Sequence, residues 1–276
     1  LIILNVIKFT SNKSTTHNMN FIAYSKSDKI ATITFNRPEK FNSFVREMAL
    51  AFHAALDDAA ADPDIRCVVI TGNGKAFCAG QDLAEAIDPK GPELTKIVSE
   101  HYNPAILRIR NIPKPVVAAV NGVAAGAGAN IALACDIVIA KESSSFIQAF
   151  SKIGLIPDSG GTYTLPRLIG LQRASALMML GDKIAAPEAE KMGMIYKSIP
   201  DESFDIALDR ITTMLADMPT YGLALTKQAL NRSFQHSLEE QLALEDELQT
   251  KAGKSEDYTE GVNAFLEKRK PVFKGF

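Results

Sequence analysis

The chain has 276 residues, 46% hydrophobic and 22% charged, with a formal net charge of −2. That length and balance allow one large domain, or a core with an appendage. The near-neutral charge argues against nucleic acid as a main partner, and no apolar run approaches the roughly 18–20 residues that span a bilayer. The cysteines, Cys67, Cys78 and Cys135, form no C-x-x-C pair and are odd in number. Neither a disulfide framework nor a metal site is expected, and reduced, buried thiols of a cytoplasmic protein are.

Residues 1–18, LIILNVIKFTSNKSTTHN, precede the first methionine, Met19. The apolar run there is short, lacks a basic leader and has no small-residue cleavage site behind it, so it is a poor signal peptide. Residues 1–18 are expected to be a disordered extension outside the fold. KIATITFNRP (29–38) alternates apolar and polar residues and predicts a strand running into a turn. Residues 43–61 carry Phe44, Met48, Phe52 and Ala55 at helical spacing, with Asn42 or Ser43 as the expected N-cap.

RCVVITG (66–72) predicts a buried strand, and 81–112 is less regular. KPVVAAVNG (114–122) predicts another buried strand; AGAGANIALACD (125–136) is small-residue rich and then helical. IVIA (137–140) and SSFIQAF (144–150) predict two further strands, followed by a helix from just after Asp158 to near Gly170 and another over 173–180. Pro187 suits the first turn of a helix over 187–193, with a strand at 194–199. Helices are expected over 202–217, 220–233, 237–251 and 256–269. The expected class is α/β: a core of repeated β-β-α units over 19–200 and an all-α C-terminal region over 201–276.

Asp158-Ser159-Gly160-Gly161 looks like a serine-protease nucleophile loop. Such a nucleophile needs a histidine base and an orienting carboxylate. His17, His53, His101 and His236 sit in no matching context, and the α/β pattern is wrong for that protease class. GVAAGAG (122–128) lacks the dinucleotide-binding order of glycines, and TGNGKAF (71–77) lacks phosphate-loop spacing. Two glycine-rich turns remain, AFCAGQDL (76–83) and NGVAAGAGAN (121–130), each after a buried strand. Each could simply permit close packing. Together, each giving one backbone N–H, they could form an oxyanion hole.

NRPEKFNSF, GKAFCAGQDL, KPVVAAVNGVAAGAGANIALACDIVIA and SKIGLIPDSGGTYTLPRLIG, in that order, resemble the enoyl-CoA hydratase/isomerase (crotonase) superfamily over about residues 20–276. The resemblance implies a spiral of ββα units, an acyl-CoA substrate and a trimer or dimer of trimers built through the C-terminal helices. It implies no metal and no cofactor beyond the coenzyme A that is part of the substrate. It places the oxyanion N–H groups on Gln81 and Ala127, between Gly126 and Gly128. Gln81 would then matter through its backbone, its side chain only through shape.

The resemblance implies coenzyme A or substrate contacts at Ala79, Asp82, Leu83, Gly126, Gly128, Asn130 and Phe150, with Lys40 and Lys268 as candidates for the phosphates. The hydratases of this superfamily use two glutamates, and here Asn130 and Phe150 stand at those positions. What remains is Asp158, matching the aspartate of members that shift double bonds. Ile153 and Leu155 would join Phe150 in an apolar lining; the alternative role for Asp158 is to cap the following helix. FCAGQDL, NGVAAGAGA and the tail DYTEGVNAFLEKRKPVF resemble the ring-epoxide isomerases of bacterial phenylacetate degradation. The alternatives are a general Δ3,Δ2- or dienoyl-CoA isomerase, a hydratase, or a non-catalytic acyl-CoA- or RNA-binding relative.

Overall fold

From the fourth strand to the ninth, successive strands alternate between two sheets in the computed structural model, which describes residues 15–19 and 21–276. The larger sheet has seven strands. In spatial order they are β1 (Thr15–Met19), β2 (Ile22–Ser27), β3 (Ile30–Phe35), β4 (Cys67–Gly72), β6 (Val116–Val120), β8 (Ile137–Lys141) and β11 (Lys197–Ile199). The smaller holds β10 (Lys183–Ala185), β9 (Ser145–Ile147), β7 (Val123–Ala125) and β5 (Ala76–Cys78). From β3 to β11 the large sheet is parallel, as are β5, β7 and β9 in the small one. The pairs β4–β5, β6–β7 and β8–β9 each add one strand to each sheet, which is the expected ββα spiral.

Strand β6 is apolar and buried throughout, and β4 and β8 are so except at their ends, because both faces are covered. On β4, Val68 and Ile70 face the main core, which they share with Phe35, Phe44 and Val116. Cys67 and Val69 face the other way, onto Phe204 and Ala216 of helix α9 (Phe204–Asp217), with Val117, Ala119 and Ile139 beside them. The strand period of two sorts these neighbours onto opposite faces. Helix α1 (Arg46–Ala61) turns Met48, Phe52, Ala55 and Ala59 into the main core. Phe35 sits at its centre, edge-on to Phe44, Phe52 and Phe77 at ring separations of 5.1, 5.2 and 5.4 Å.

Two expectations change here. Thr15–Asn18, placed outside the fold by sequence, form most of β1 and pair antiparallel with β2; residues 1–14 lie outside the described residues. Helix α1 starts at Arg46, after an extended Val45 with no side-chain cap, so neither Asn42 nor Ser43 caps it. Asn42 has φ +56°, which an N-cap does not adopt. Its buried amide instead accepts from the Arg37 N–H (2.9 Å) and donates to the carbonyls of Asn73 (2.9 Å) and Ala76 (2.8 Å), tying that turn to β5.

The irregular stretch resolves into α2 (Leu83–Ala86), α3 (Leu94–Lys96), a π-helical turn at Ile97–Tyr102 and α4 (Asn103–Asn111). Pro104 has no N–H to continue the ladder, and the Asn103 N–H reaches back five residues to Val98. Four more helices complete the core, α5 (Ala127–Leu133), α6 (Gly161–Ile169), α7 (Leu171–Leu180) and α8 (Ala186–Lys191). After α9 the C-terminal region is helical as expected, through α10 (Thr220–Arg232), α11 (Leu238–Ala252) and α12 (Glu256–Glu267). Ser237 and Glu240 form a capping box at the start of α11.

Candidate active site

Parallel pairing brings the carboxyl ends of β5, β7 and β9 side by side, the usual place for a ligand in a parallel sheet. The two glycine-rich turns leave β5 and β7 and touch. Gly80 has φ +90°, and a Cβ there would stand 3.0 Å from the Ala125 carbonyl and 3.4 Å from the Ala127 nitrogen. A Cβ on Gly128 would fall 2.3 Å from the Cys78 carbonyl, so α5 is pressed directly onto the end of β5. Among the hydrogen bonds of the described residues, neither the Gln81 N–H nor the Ala127 N–H donates to a protein acceptor. Two adjacent, unspent backbone donors can stabilise a developing oxyanion.

The first turn is held by its neighbours. The Ala79 N–H donates to Phe41 (3.0 Å), Phe44 donates to Gly80 (2.7 Å) and Asp82 donates to Phe44 (2.9 Å). Asp82 caps α2 by accepting from the Ala84 N–H at 2.9 Å and pairs with Arg37 at 2.6 Å. Burial alone would raise the Asp82 carboxyl, but the Arg37 and Ala84 hydrogen bonds outweigh it and hold the pKa below the usual carboxylate range. Leu83 is exposed, as is Lys40. Lys268 is exposed at the end of α12, with φ +55°.

Gln81 does more than offer its N–H. The buried Tyr102 phenol donates to its side-chain oxygen at 3.0 Å, and its amide donates to Glu85 at 2.7 Å. Glu85 in turn accepts from the Arg46 N–H at 2.9 Å. Burial pushes the Tyr102 phenol well above its usual pKa, with Cys78, Asp158 and Glu85 adding to the effect. The expectation that the Gln81 side chain acts only through shape is therefore corrected. Its amide is one link in a partly buried chain that the irregular sequence of 81–112 gave no means to foresee.

Asp158 arrives from β9 by way of a 3₁₀ turn, Ala149–Ile153. Ser159 (φ +52°) and Gly160 (φ +72°) follow it, both left-handed, before α6 begins. Gly160 is the N-cap and no side chain caps the helix, so Asp158 does not fill that alternative role. Burial raises the pKa of the half-buried Asp158 carboxyl above its ordinary 3.8, against the lowering effect of the Ser159 hydroxyl (2.8 Å) and the residue's own N–H. Its carbonyl accepts from the Gly161 N–H (2.9 Å) and from the Asn130 amide (2.8 Å).

Phe150 is buried, and its ring lies 3.8 Å from where a Gly126 Cβ would stand. Ile153 and Leu155, expected to join it in an apolar lining, are 52% and 39% exposed in the single chain. Asn130 was expected to face substrate; its side chain is buried and spent within the protein, on Asp158 and on Gln148.

Residues 25–275 match the family model described as enoyl-CoA hydratase/isomerase. The chain belongs to that family. It is 48% identical over 260 residues to the 1,2-epoxyphenylacetyl-CoA isomerase of Escherichia coli (strain K12), covering 93% of this chain and 99% of the relative. To the 2,3-dehydroadipyl-CoA hydratase of the same organism it is 35% identical, covering 93% of this chain and 100% of the relative. The enoyl-CoA hydratase from Bacillus anthracis has the same fold, with a TM-score of 0.86 at 31% identity, covering 93% of this chain and 100% of that one.

In a family defined by acyl-CoA chemistry, contact between the two turns predicts a sensitive glycine. Gly80→Ala forces a side chain into a left-handed position and against Ala125. It is expected to lower kcat by about 10²-fold, the effect of losing one oxyanion donor, while the folded state persists. Steady-state kinetics beside circular dichroism checks this; wild-type kcat would show that the turns need not touch.

Proposed function

We propose that the protein is an acyl-CoA isomerase that converts ring-1,2-epoxyphenylacetyl-CoA to oxepin-CoA and shifts Δ3 double bonds to Δ2. The observation that carries this reading is the single half-buried carboxyl group of Asp158, with Asn130 and Phe150 where the hydratases carry their glutamates. Adding water across a double bond asks for a base for the water and an acid for the carbon. An asparagine amide and a phenyl ring supply neither. Moving a double bond needs one group that takes a proton from one carbon and returns it to another.

For the double-bond shift, Asp158 in this reading removes the proton beside the thioester carbonyl. The charge passes to the thioester oxygen, which the Gln81 and Ala127 N–H groups receive. Asp158, now protonated, gives the proton back further along the chain. Burial that raises its pKa makes it both a stronger base when ionised and an available acid when not. Phe150 keeps water from the enolate. The steps call on no metal or redox cofactor, and coenzyme A comes with the substrate, Ala79 and Leu83 lying beside its expected path. The 48% identity to a relative named 1,2-epoxyphenylacetyl-CoA isomerase supports the acyl group proposed.

Association as a trimer or dimer of trimers belongs to the same proposal. Phe265 and Leu266 on α12 are 82% and 72% exposed in the single chain, and apolar surface of that kind favours a protein neighbour. A cytoplasmic location is proposed with it. Among the described residues no helix is long and apolar enough to cross a membrane.

Four measurements test these statements. A 3-enoyl-CoA and enzymatically generated epoxyphenylacetyl-CoA are expected to isomerise, with little hydration of crotonyl-CoA, and Asp158→Asn should abolish turnover while acyl-CoA binding survives. Rapid hydration of crotonyl-CoA would favour a hydratase instead. Ser159→Ala removes a hydrogen bond that stabilises the Asp158 carboxylate, so the carboxyl pKa rises. The acid limb of kcat/KM should then move to higher pH; an unmoved limb would separate Ser159, or Asp158, from the titrating group. Sedimentation at micromolar concentration should find three or six subunits, and a monomer would set the assembly aside.

A further inference from the structure

Asp158 is held by something other than its own loop. We propose that Asn130 and Gln148 form a two-amide clamp that fixes the Asp158 peptide relative to the Ala127 N–H, making both positioning residues for the reaction. The proposal rests on the catalytic reading of Asp158.

The clamp has only one chemically consistent orientation. The Asp158 carbonyl can only accept, so Asn130 must turn its NH₂ toward it, at 2.8 Å. That leaves the Asn130 oxygen facing inward, where the Gln148 NH₂ meets it at 2.8 Å. Both side chains are about 2% exposed, and the Gln148 oxygen at the end of the chain is buried without a partner. A buried acceptor left unpaired is a cost that ordinary packing avoids. Here it accompanies an amide fixed to present its NH₂ to Asn130.

The surroundings leave no slack. A Cβ on Gly161 would stand 2.4 Å from the Asn130 amide nitrogen, so α6 begins directly against the clamp. Asn130 lies three residues beyond Ala127 on the rigid helix α5. One short helix therefore carries the oxyanion N–H at its first position and the grip on Asp158 one turn later. The separation between base and hole is set through a single side chain.

The loop needs such a grip. Ser159 and Gly160 are successive left-handed residues, the first with a Cβ that disfavours that conformation. On the approach, Ser151 to Ile156 are all exposed and offer little packing. Beyond the turn, Ile106 of α4 lies 3.6 Å from where a Gly160 Cβ would stand. The strained turn is thus held from inside, by Asn130 on one side and Ile106 on the other.

The test is Asn130→Ala with a 3-enoyl-CoA. Removing the grip should lower kcat by about 10–100-fold, as a base displaced by about 1 Å would, with KM within about threefold of wild type. The acid limb of the rate profile should move to lower pH, because a released Asp158 is better hydrated and its carboxyl loses the effect of burial. Gln148→Ala should act in the same direction with a smaller loss, since Asn130 keeps its donor but not its orientation.

A folded Asn130→Ala protein with wild-type kcat and an unmoved limb would overturn the clamp. So would a fall in thermal stability with an unmoved limb, which is a structural effect alone. If Asn130→Ala does not fold, the same readouts on Gln148→Ala decide. Near-normal turnover by Asp158→Asn is a different failure: it removes Asp158 from catalysis whatever the clamp variants do.

Discussion

Parallel pairing of β5, β7 and β9, three strands of three residues each, is the constraint on which the site depends. Parallel strands end on the same side of a sheet. Three consecutive turns of the spiral therefore release their chains at one edge: first the Gln81 turn, then the Ala127 turn, then the path to Asp158. The close approach follows from the pairing. With Gly128 against the Cys78 carbonyl, no side chain can separate the first two turns. The large sheet supplies rigidity, since β4 and β6 are buried on both faces and cannot shift register without exposing apolar side chains.

Charge in the site is controlled by burial and by amides. Asp158 is held above its ordinary pKa by the first and moderated by one hydroxyl. The Tyr102 phenol is kept protonated by burial and donates to the Gln81 oxygen, while the Gln81 NH₂ donates to Glu85, which fixes the Gln81 amide in one sense. Gln81 and Asn130 thus have parallel tasks. Each sits beside a group assigned to the chemistry, and each spends its side chain on protein partners. Amides suit the work because one end donates and the other accepts, and neither ionises.

Much of this was legible in the chain. Long elements announced themselves by period, as α1 did through Phe52 and Ala55, and the parallel strands through unbroken apolar runs. The two turns were visible because close backbone approach requires glycine, and their order with Asp158 carried the family resemblance. The three-residue strands β5, β7 and β10 were not legible, because alternation needs more length to show. Tyr102 was hidden in a segment without regular period. The inward turn of Asn130 was hidden because a substitution at a functional position says what chemistry is lost, not which neighbour the new side chain finds.

The π-helical turn at Ile97–Tyr102 shows how length itself can encode a site. A helix advances about 100° per residue, so the extra residue in that turn rotates everything after it by that angle. Tyr102 points at Gln81, and Ala105 and Ile109 still reach the core, only because the count is one longer than an uninterrupted helix would need. Relatives that keep every side chain named here but lose one residue between 97 and 102 would present a different wall to the same two N–H groups. In such a protein the length of the segment, more than its composition, would distinguish one pocket from another.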